Sequence, residues 1–148
     1  MEKILPDDIV KQIRDVFQKL NHPVQILFFG SEARCEYCNE TRQLLEEVSA
    51  ISELISLSVH DLEQEPDLAK HYKVEEKAPA IVIAAKEGEQ LTDYGIRYLG
   101  IPSGHEFTTL IQAILLVSSR DSGLAPQTRE YLKNLTKPLH IEVFVTPT

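Results

Sequence analysis

Cysteine is scarce in this 148-residue chain: there are two, with one methionine and no tryptophan. Two thiols cannot build a framework of several disulfides, so the chain must fold on a hydrophobic core, and its length suits one ordinary domain with a small appendage. Positive charge is also short. Fifteen Lys and Arg stand against 23 Asp and Glu, a formal net charge of −8 with a pI near 5.1. That balance argues against nucleic acid or an anionic membrane surface as partner, since both attract basic surfaces. No apolar run approaches the ~20 residues that cross a bilayer. The opening Met1-Glu2-Lys3-Ile4-Leu5-Pro6-Asp7-Asp8 lacks the basic start and apolar core of a secretory signal. The expectation is a soluble domain of the cytoplasm with no nucleic-acid and no membrane partner. A lone cysteine pair in that compartment is more often catalytic than structural.

The two cysteines stand as Cys35-Glu36-Tyr37-Cys38, just after the apolar run Val24-Gln25-Ile26-Leu27-Phe28-Phe29-Gly30. Residues three apart at a helix start can close a short disulfide and reopen it. Unpaired backbone N–H groups and the positive end of the helix dipole stabilise a thiolate there. The other reading is half of a zinc site, which needs two more ligands; no second Cys pair or H-x₃₋₅-H cluster is present in the sequence. C-x-x-C beside a βαβ pattern points to thiol–disulfide chemistry, with the disulfide itself as the redox group and no separate cofactor or metal.

The rest of the chain supplies the βαβ pattern. Asp7 or Asp8 can cap a first helix whose apolar stripe is Ile9, Ile13, Val16, Phe17 and Leu20. The first strand, about Val24 to Gly30, is almost continuously apolar, as in a strand buried on both faces. Helix two is expected from about Cys35 into the low fifties, with Leu44, Leu45, Val48 and Ile51 inward and Glu40, Arg42, Glu46 and Glu47 solvated. Strand two is expected at about Ile55 to Asp61, and Glu65-Pro66-Asp67-Leu68 opens a short third helix. Ala78-Pro79 leads into the apolar strand Ile81 to Ala85, and Lys86-Glu87-Gly88-Glu89 turns it into a strand at about Tyr94 to Leu99. Ser103-Gly104-His105-Glu106 has the capping-box form ahead of a helix burying Phe107, Leu110, Ile111, Ile114 and Leu115. After a polar break come a last helix, about Pro126 to Leu135, and a strand-like run, Leu139 to Val145. The order is α-βαβαββα followed by a helix and an orphan strand. The thiols fall at the C-terminal end of strand one, where open α/β sheets place their sites.

From about Val24 to Leu116 this pattern resembles a thioredoxin-fold domain: α/β, a central mixed sheet of about four strands flanked by helices. Here it carries an extra N-terminal helix and a C-terminal linker helix plus strand. Ala78-Pro79 stands where such domains carry a cis-proline facing the active-site sulfurs; an ordinary trans proline at a strand entrance is the alternative. Over essentially the whole length the chain resembles the amino-terminal half of the protein disulfide oxidoreductases, glutaredoxin-like proteins with two fused thioredoxin-fold units. The residues that carry this are His22-Pro23-Val24, Cys35-Glu36-Tyr37-Cys38, Lys77-Ala78-Pro79-Ala80 and the long run Gly95 to Phe107. Val143-Phe144-Val145-Thr146-Pro147-Thr148 resembles the strand and loop before the second unit's own site. On this reading residues 1–120 are a thioredoxin-like domain, and 121–148 are a linker helix and the first strand of a truncated second unit. The alternative is a naturally short protein with a structural C-terminal strand.

The resemblance implies a protein disulfide oxidoreductase. Cys35 would be the exposed nucleophile and Cys38 the more buried resolving thiol, with Ala78, Pro79 and Tyr37 bordering the substrate groove. Its implied partners are protein disulfides and thiols, with a thioredoxin-reductase-like flavoprotein as electron source and self-association through the C-terminal strand. Thioredoxins place a buried carboxylate six residues before the first cysteine; that position is Phe29. Glu36 beside the thiol opposes thiolate formation and Arg34 favours it. No histidine is assigned a role. Two other classes stay open: a redox-silent binding or adaptor module, and an electron-relay domain for a flavoprotein reductase.

Overall fold

A computed structural model describes residues 2–146. The chain opens with α1 (Asp7–Val16), which tightens into a 3₁₀ turn at Phe17–Lys19, and continues into β1 (Val24–Gly30). Then follow α2 (Cys38–Ser49), β2 (Ile55–Asp61), α3 (Pro66–His71), β3 (Ala80–Glu87), β4 (Gln90–Leu99), α4 (His105–Ser119) and α5 (Pro126–Lys133). The sheet order is β2-β1-β3-β4, with β1 parallel to β2 and antiparallel to β3, and β4 antiparallel to β3. This is the mixed four-stranded α/β sheet expected from the sequence.

All seven residues of β1 are buried, because it has a strand on each side and side chains packed on both faces. Val24, Ile26 and Phe28 point into a core shared with Ile13 and Phe17, with Leu44, Leu45 and Val48 of α2, and with Leu110, Ile114 and Val117 of α4. Leu27 and Phe29 point to the other face, against Leu62, Ala69, Tyr72 and Val74. Leu45 and Val48 are fully buried, each contributing roughly 1.5–3 kcal/mol of transfer free energy. The β3–β4 hairpin closes on two residues, and Gly88, at φ 63°, supplies the positive φ such a loop needs at its first position.

Several local expectations are corrected. Helix α2 begins at Cys38, so Cys35 lies in the loop ahead of it. Pro6 is the N-cap of α1, and Asp7 and Asp8 sit in its first turn instead of capping it. Glu47 is half-exposed, and beyond facing solvent its carboxylate accepts the N–H groups of Ile4 and Leu5, each at 2.8 Å, tying the amino-terminal segment to α2. The Ser103–Glu106 capping box does not form. Gly104, at φ 62°, is the N-cap of α4, and Glu106 is half-buried, with desolvation raising its carboxyl. Strand β4 starts at Gln90, four residues before the expected Tyr94.

The expected C-terminal strand does not form. Residues 139–145 are exposed, Phe144 to 89%, and pair with neither sheet edge; α5 buries none of its residues. An apolar strand needs a neighbour for its N–H and C=O groups, and this run lies against neither of the edge strands, β2 and β4. Pro147 and Thr148 of the expected strand-and-loop segment lie outside the described residues. No helix among the described residues is long and apolar enough to cross a membrane.

Candidate active site at the end of strand β1

Strand β1 ends at Gly30, and residues 31–37 form a loop to α2. Cys35 in that loop is disulfide-bonded to Cys38, the first helical residue, with Cα atoms 5.6 Å apart. The sulfurs are therefore joined to each other, and among the described residues no group of His, Cys, Asp and Glu could hold a metal ion. Both cysteines are half-buried, so exposure alone does not separate them. Packing does: Cys38 lies against the core under α2, and Cys35 is not part of that cluster. Gly30 explains how the sulfur fits. A Cβ there would stand 3.3 Å from Cys38 Sγ and 3.0 Å from the Phe28 ring.

The Tyr37 side chain does not cap α2, and Thr41, fully buried, binds the Tyr37 carbonyl through both its N–H (3.0 Å) and its hydroxyl (2.6 Å). The first-turn N–H groups of α2 before Thr41 have no partner within a helix, and such groups favour negative charge beside them. Tyr37 itself is 49% exposed, at the rim of the disulfide.

The Ala78–Pro79 peptide is cis. In the β1–β3 register Phe29 pairs with Ala80, which brings Pro79 alongside the Gly30 end of β1, where the cysteine loop departs. Pro79 is buried and its carbonyl accepts the Gly100 N–H at 2.8 Å; Ala78 is half-buried, and its main chain enters none of the turn and loop hydrogen bonds among the described residues. The topology thus brings the five residues singled out by sequence to one end of the sheet.

Counting back six residues from Cys35 does not find the side chain beneath the disulfide. Phe29 points away, into the opposite face, stacked on His60 with centroids 5.1 Å apart and tilted against Tyr72 at 5.9 Å. On the Cys38 side of β1 stand Phe28 and Gly30. Neither position holds a carboxylate. His60, to which the sequence assigned no role, is an anchor: its ring nitrogens lie 2.9 Å from Glu65 Oε2 and 2.9 Å from Ser58 Oγ.

Ser31, Asp61 and Glu63, which no sequence motif singles out, hold the cysteine loop. Ser31 is buried; its hydroxyl donates to Glu63 Oε1 (2.8 Å) and accepts the Arg34 N–H (3.0 Å). Asp61 Oδ2 accepts the Glu32 N–H at 3.1 Å, and Oδ1 accepts those of Glu63 and Gln64. Desolvation works to raise the Asp61 carboxyl, but these N–H bonds outweigh it and hold the group below the usual range. The Arg34 guanidinium, expected to favour a Cys35 thiolate, lies 3.3 Å from Glu63 Oε1, so its charge is partly spent on that carboxylate. The only signal in the sequence was a polar residue directly after a buried strand.

No family profile matches the chain. The alkyl hydroperoxide reductase AhpF of Staphylococcus aureus is 29% identical over 145 residues, which cover 98% of this chain and 25% of that protein. The chain thus spans about a quarter of the length of the curated relatives it matches. The crystal structure of a protein disulfide oxidoreductase from Aeropyrum pernix superposes with a TM-score of 0.84 at 29% identity, covering 98% of this chain and 62% of that one. The NTD_N/C domain of AhpF from Enterococcus faecalis gives 0.78 at 28%, covering 90% and 62%. The chain is a thioredoxin-fold unit with a C-x-x-C disulfide, homologous to the amino-terminal domain of the alkyl hydroperoxide reductase AhpF and to a protein disulfide oxidoreductase.

Proposed function

We propose that this chain is a thiol–disulfide oxidoreductase unit that exchanges disulfides with protein thiols through Cys35 and Cys38. The observation that carries the reading is the Cys35–Cys38 disulfide at the end of β1, beside Pro79. In the reduced form the Cys35 thiolate attacks one sulfur of a substrate disulfide. The substrate S–S bond breaks, one substrate thiolate leaves, and a mixed disulfide remains. Cys38, deprotonated, then attacks Cys35 Sγ, expels the second substrate thiolate and closes the Cys35–Cys38 bond. Two electrons pass to the substrate. Core packing around Cys38 supports its role as the resolving thiol. Ala78 and Tyr37 are assigned to the groove, with the Ala78 main chain pairing to substrate backbone.

Insulin turbidity with dithiothreitol as the electron source tests this. Wild type should accelerate reduction, Cys35→Ser should abolish turnover, and Cys38→Ser should accumulate a mixed disulfide. Equal alkylation of both reduced thiols by limiting iodoacetamide at neutral pH would refute the assignment of roles.

Similarity to a subunit of an alkyl hydroperoxide reductase leaves room for a second reading, in which this chain relays electrons and a flavoprotein reductase is the proposed donor. Reduction of Cys35–Cys38 by a thioredoxin-reductase-like flavoprotein and NADPH would select it. In either case residues 1–120 constitute the redox unit, and 121–148 lead toward a second thioredoxin-fold unit of a longer protein.

A further inference from the structure

Cys35 belongs to no helix or strand, so its position is set by a loop. That loop is fastened to residues about 30 positions further along the chain. Leu62 N–H binds the Gly30 carbonyl (2.9 Å), Asp61 takes the Glu32 N–H, and the Ser31 hydroxyl bridges Glu63 to the peptide N–H of Arg34, the residue before Cys35. Ser31 is 7% exposed, and its hydroxyl has both its donor and an acceptor function used. We propose that Ser31, fixed by Glu63, is a positioning residue that holds Cys35 within reach of Cys38 when the disulfide is open.

The two redox forms depend on the bracket unequally. In the disulfide form the S–S bond itself restrains residues 35–38. In the dithiol form that restraint is gone, and the Ser31 bridge keeps the loop ordered. Without it, closing the disulfide must also order the loop, which lowers the effective concentration of one thiol at the other. The Cys35–Cys38 equilibrium then shifts toward the dithiol. Removing the hydroxyl deletes two hydrogen bonds, but only the part of that loss not shared by both redox forms moves the equilibrium. Taken as one net hydrogen bond, it corresponds to a roughly two- to tenfold shift. Tenfold is about 30 mV for a two-electron couple, toward a more positive potential.

The inference deepens the proposed exchange reaction and rests on it only in that the Cys35–Cys38 bond opens and closes. Ser31→Ala tests it without changing charge, and Ser31→Thr keeps the hydroxyl as the rescue variant. Ser118→Ala is the comparator. Ser118 is also buried and its hydroxyl accepts the Asn21 and His22 N–H groups, but it lies at the opposite end of β1. Each protein is equilibrated in reduced and oxidised glutathione, and the dithiol fraction is read by alkylation and mass spectrometry. The melting midpoint of each redox form is also recorded.

The expected result is a roughly two- to tenfold shift toward dithiol for Ser31→Ala and recovery in Ser31→Thr. Ser118→Ala should lower both midpoints alike and leave the redox equilibrium unmoved. An unchanged equilibrium in Ser31→Ala would overturn the inference, as would an equal shift in Ser118→Ala. Neither result bears on whether the wild type reduces insulin, so the two readings fail separately.

Discussion

Adding one methyl group at Gly30 should disturb the fold and the site together. The backbone does not require glycine there, since Gly30 is not among the residues with positive φ. The objection to a side chain is space: the added Cβ would lie 3.0 and 3.1 Å from two Phe28 ring carbons and 3.3 Å from Cys38 Sγ. Carbon atoms pack best at about 3.5–4.0 Å, so the ring must retreat by roughly half an ångström. Phe28 is 3% exposed within the core beneath α2, where retreat displaces other side chains. Overpacking of this kind costs ~1–3 kcal/mol. Alanine returns ~0.4–1 kcal/mol by restricting the unfolded chain. The expected net loss for Gly30→Ala is about 1.5 kcal/mol, a fall of roughly 3–6 °C in Tm for a chain of this size. Thermal melts of the oxidised protein measure it. A double-mutant cycle with Phe28→Leu identifies the cause, because the smaller side chain should absorb part of the methyl and make the pair less than additive. An unchanged or raised Tm for Gly30→Ala, or strict additivity with Phe28→Leu, would refute the steric argument.

The Asp93–Arg97 pair, with Oδ2 and Nη2 at 2.6 Å, gives an acid-side prediction. Arg97 holds the Asp93 carboxyl below its ordinary value, so this stabilisation is present above the unfolded pKa of ~3.9 and is lost as pH falls through the folded value. Asp93→Asn should therefore be less stable than wild type to urea at pH 6, with the gap narrowing at pH 3; a constant gap would contradict the linkage. Deleting residues after Pro138 should move Tm by no more than about 2 °C, because residues 139–145 are exposed and outside the sheet. The same truncation should reduce concentration-dependent association in light scattering, and a fall of several degrees would show the tail to be integral.

The sequence was legible where the physics is local. The continuous apolar run of β1 required burial on both faces, the spacing of Cys35 and Cys38 allowed a short disulfide, and Gly88 marked the hairpin turn. Helix boundaries were less legible. Gly104 caps α4 where Ser103 had the side chain for it, since the backbone turn at φ 62° decides which residue enters the helix. Leu139 to Val145 has strand texture, but a strand exists only where the chain is brought against another strand's hydrogen-bonding groups, and this run is docked on neither edge strand, β2 or β4.

The sequence by itself determined the α/β order, the C-x-x-C redox pair and the proline at the start of β3. Those follow from periodicity, spacing and residue chemistry, each confined to a few neighbouring positions. Only the tertiary structure decided that Phe29 turns away from Cys38 while Phe28 and Gly30 face it, that Arg34 is paired with Glu63, and that Ser31 and Asp61 hold the cysteine loop. The Arg34–Glu63, Ser31–Glu63 and Asp61–Glu32 contacts join residues about 30 positions apart, brought together by the parallel β1–β2 register that sets Gly30 beside Asp61. No local pattern carries that register, because it is fixed by how two faces of one strand are filled at once.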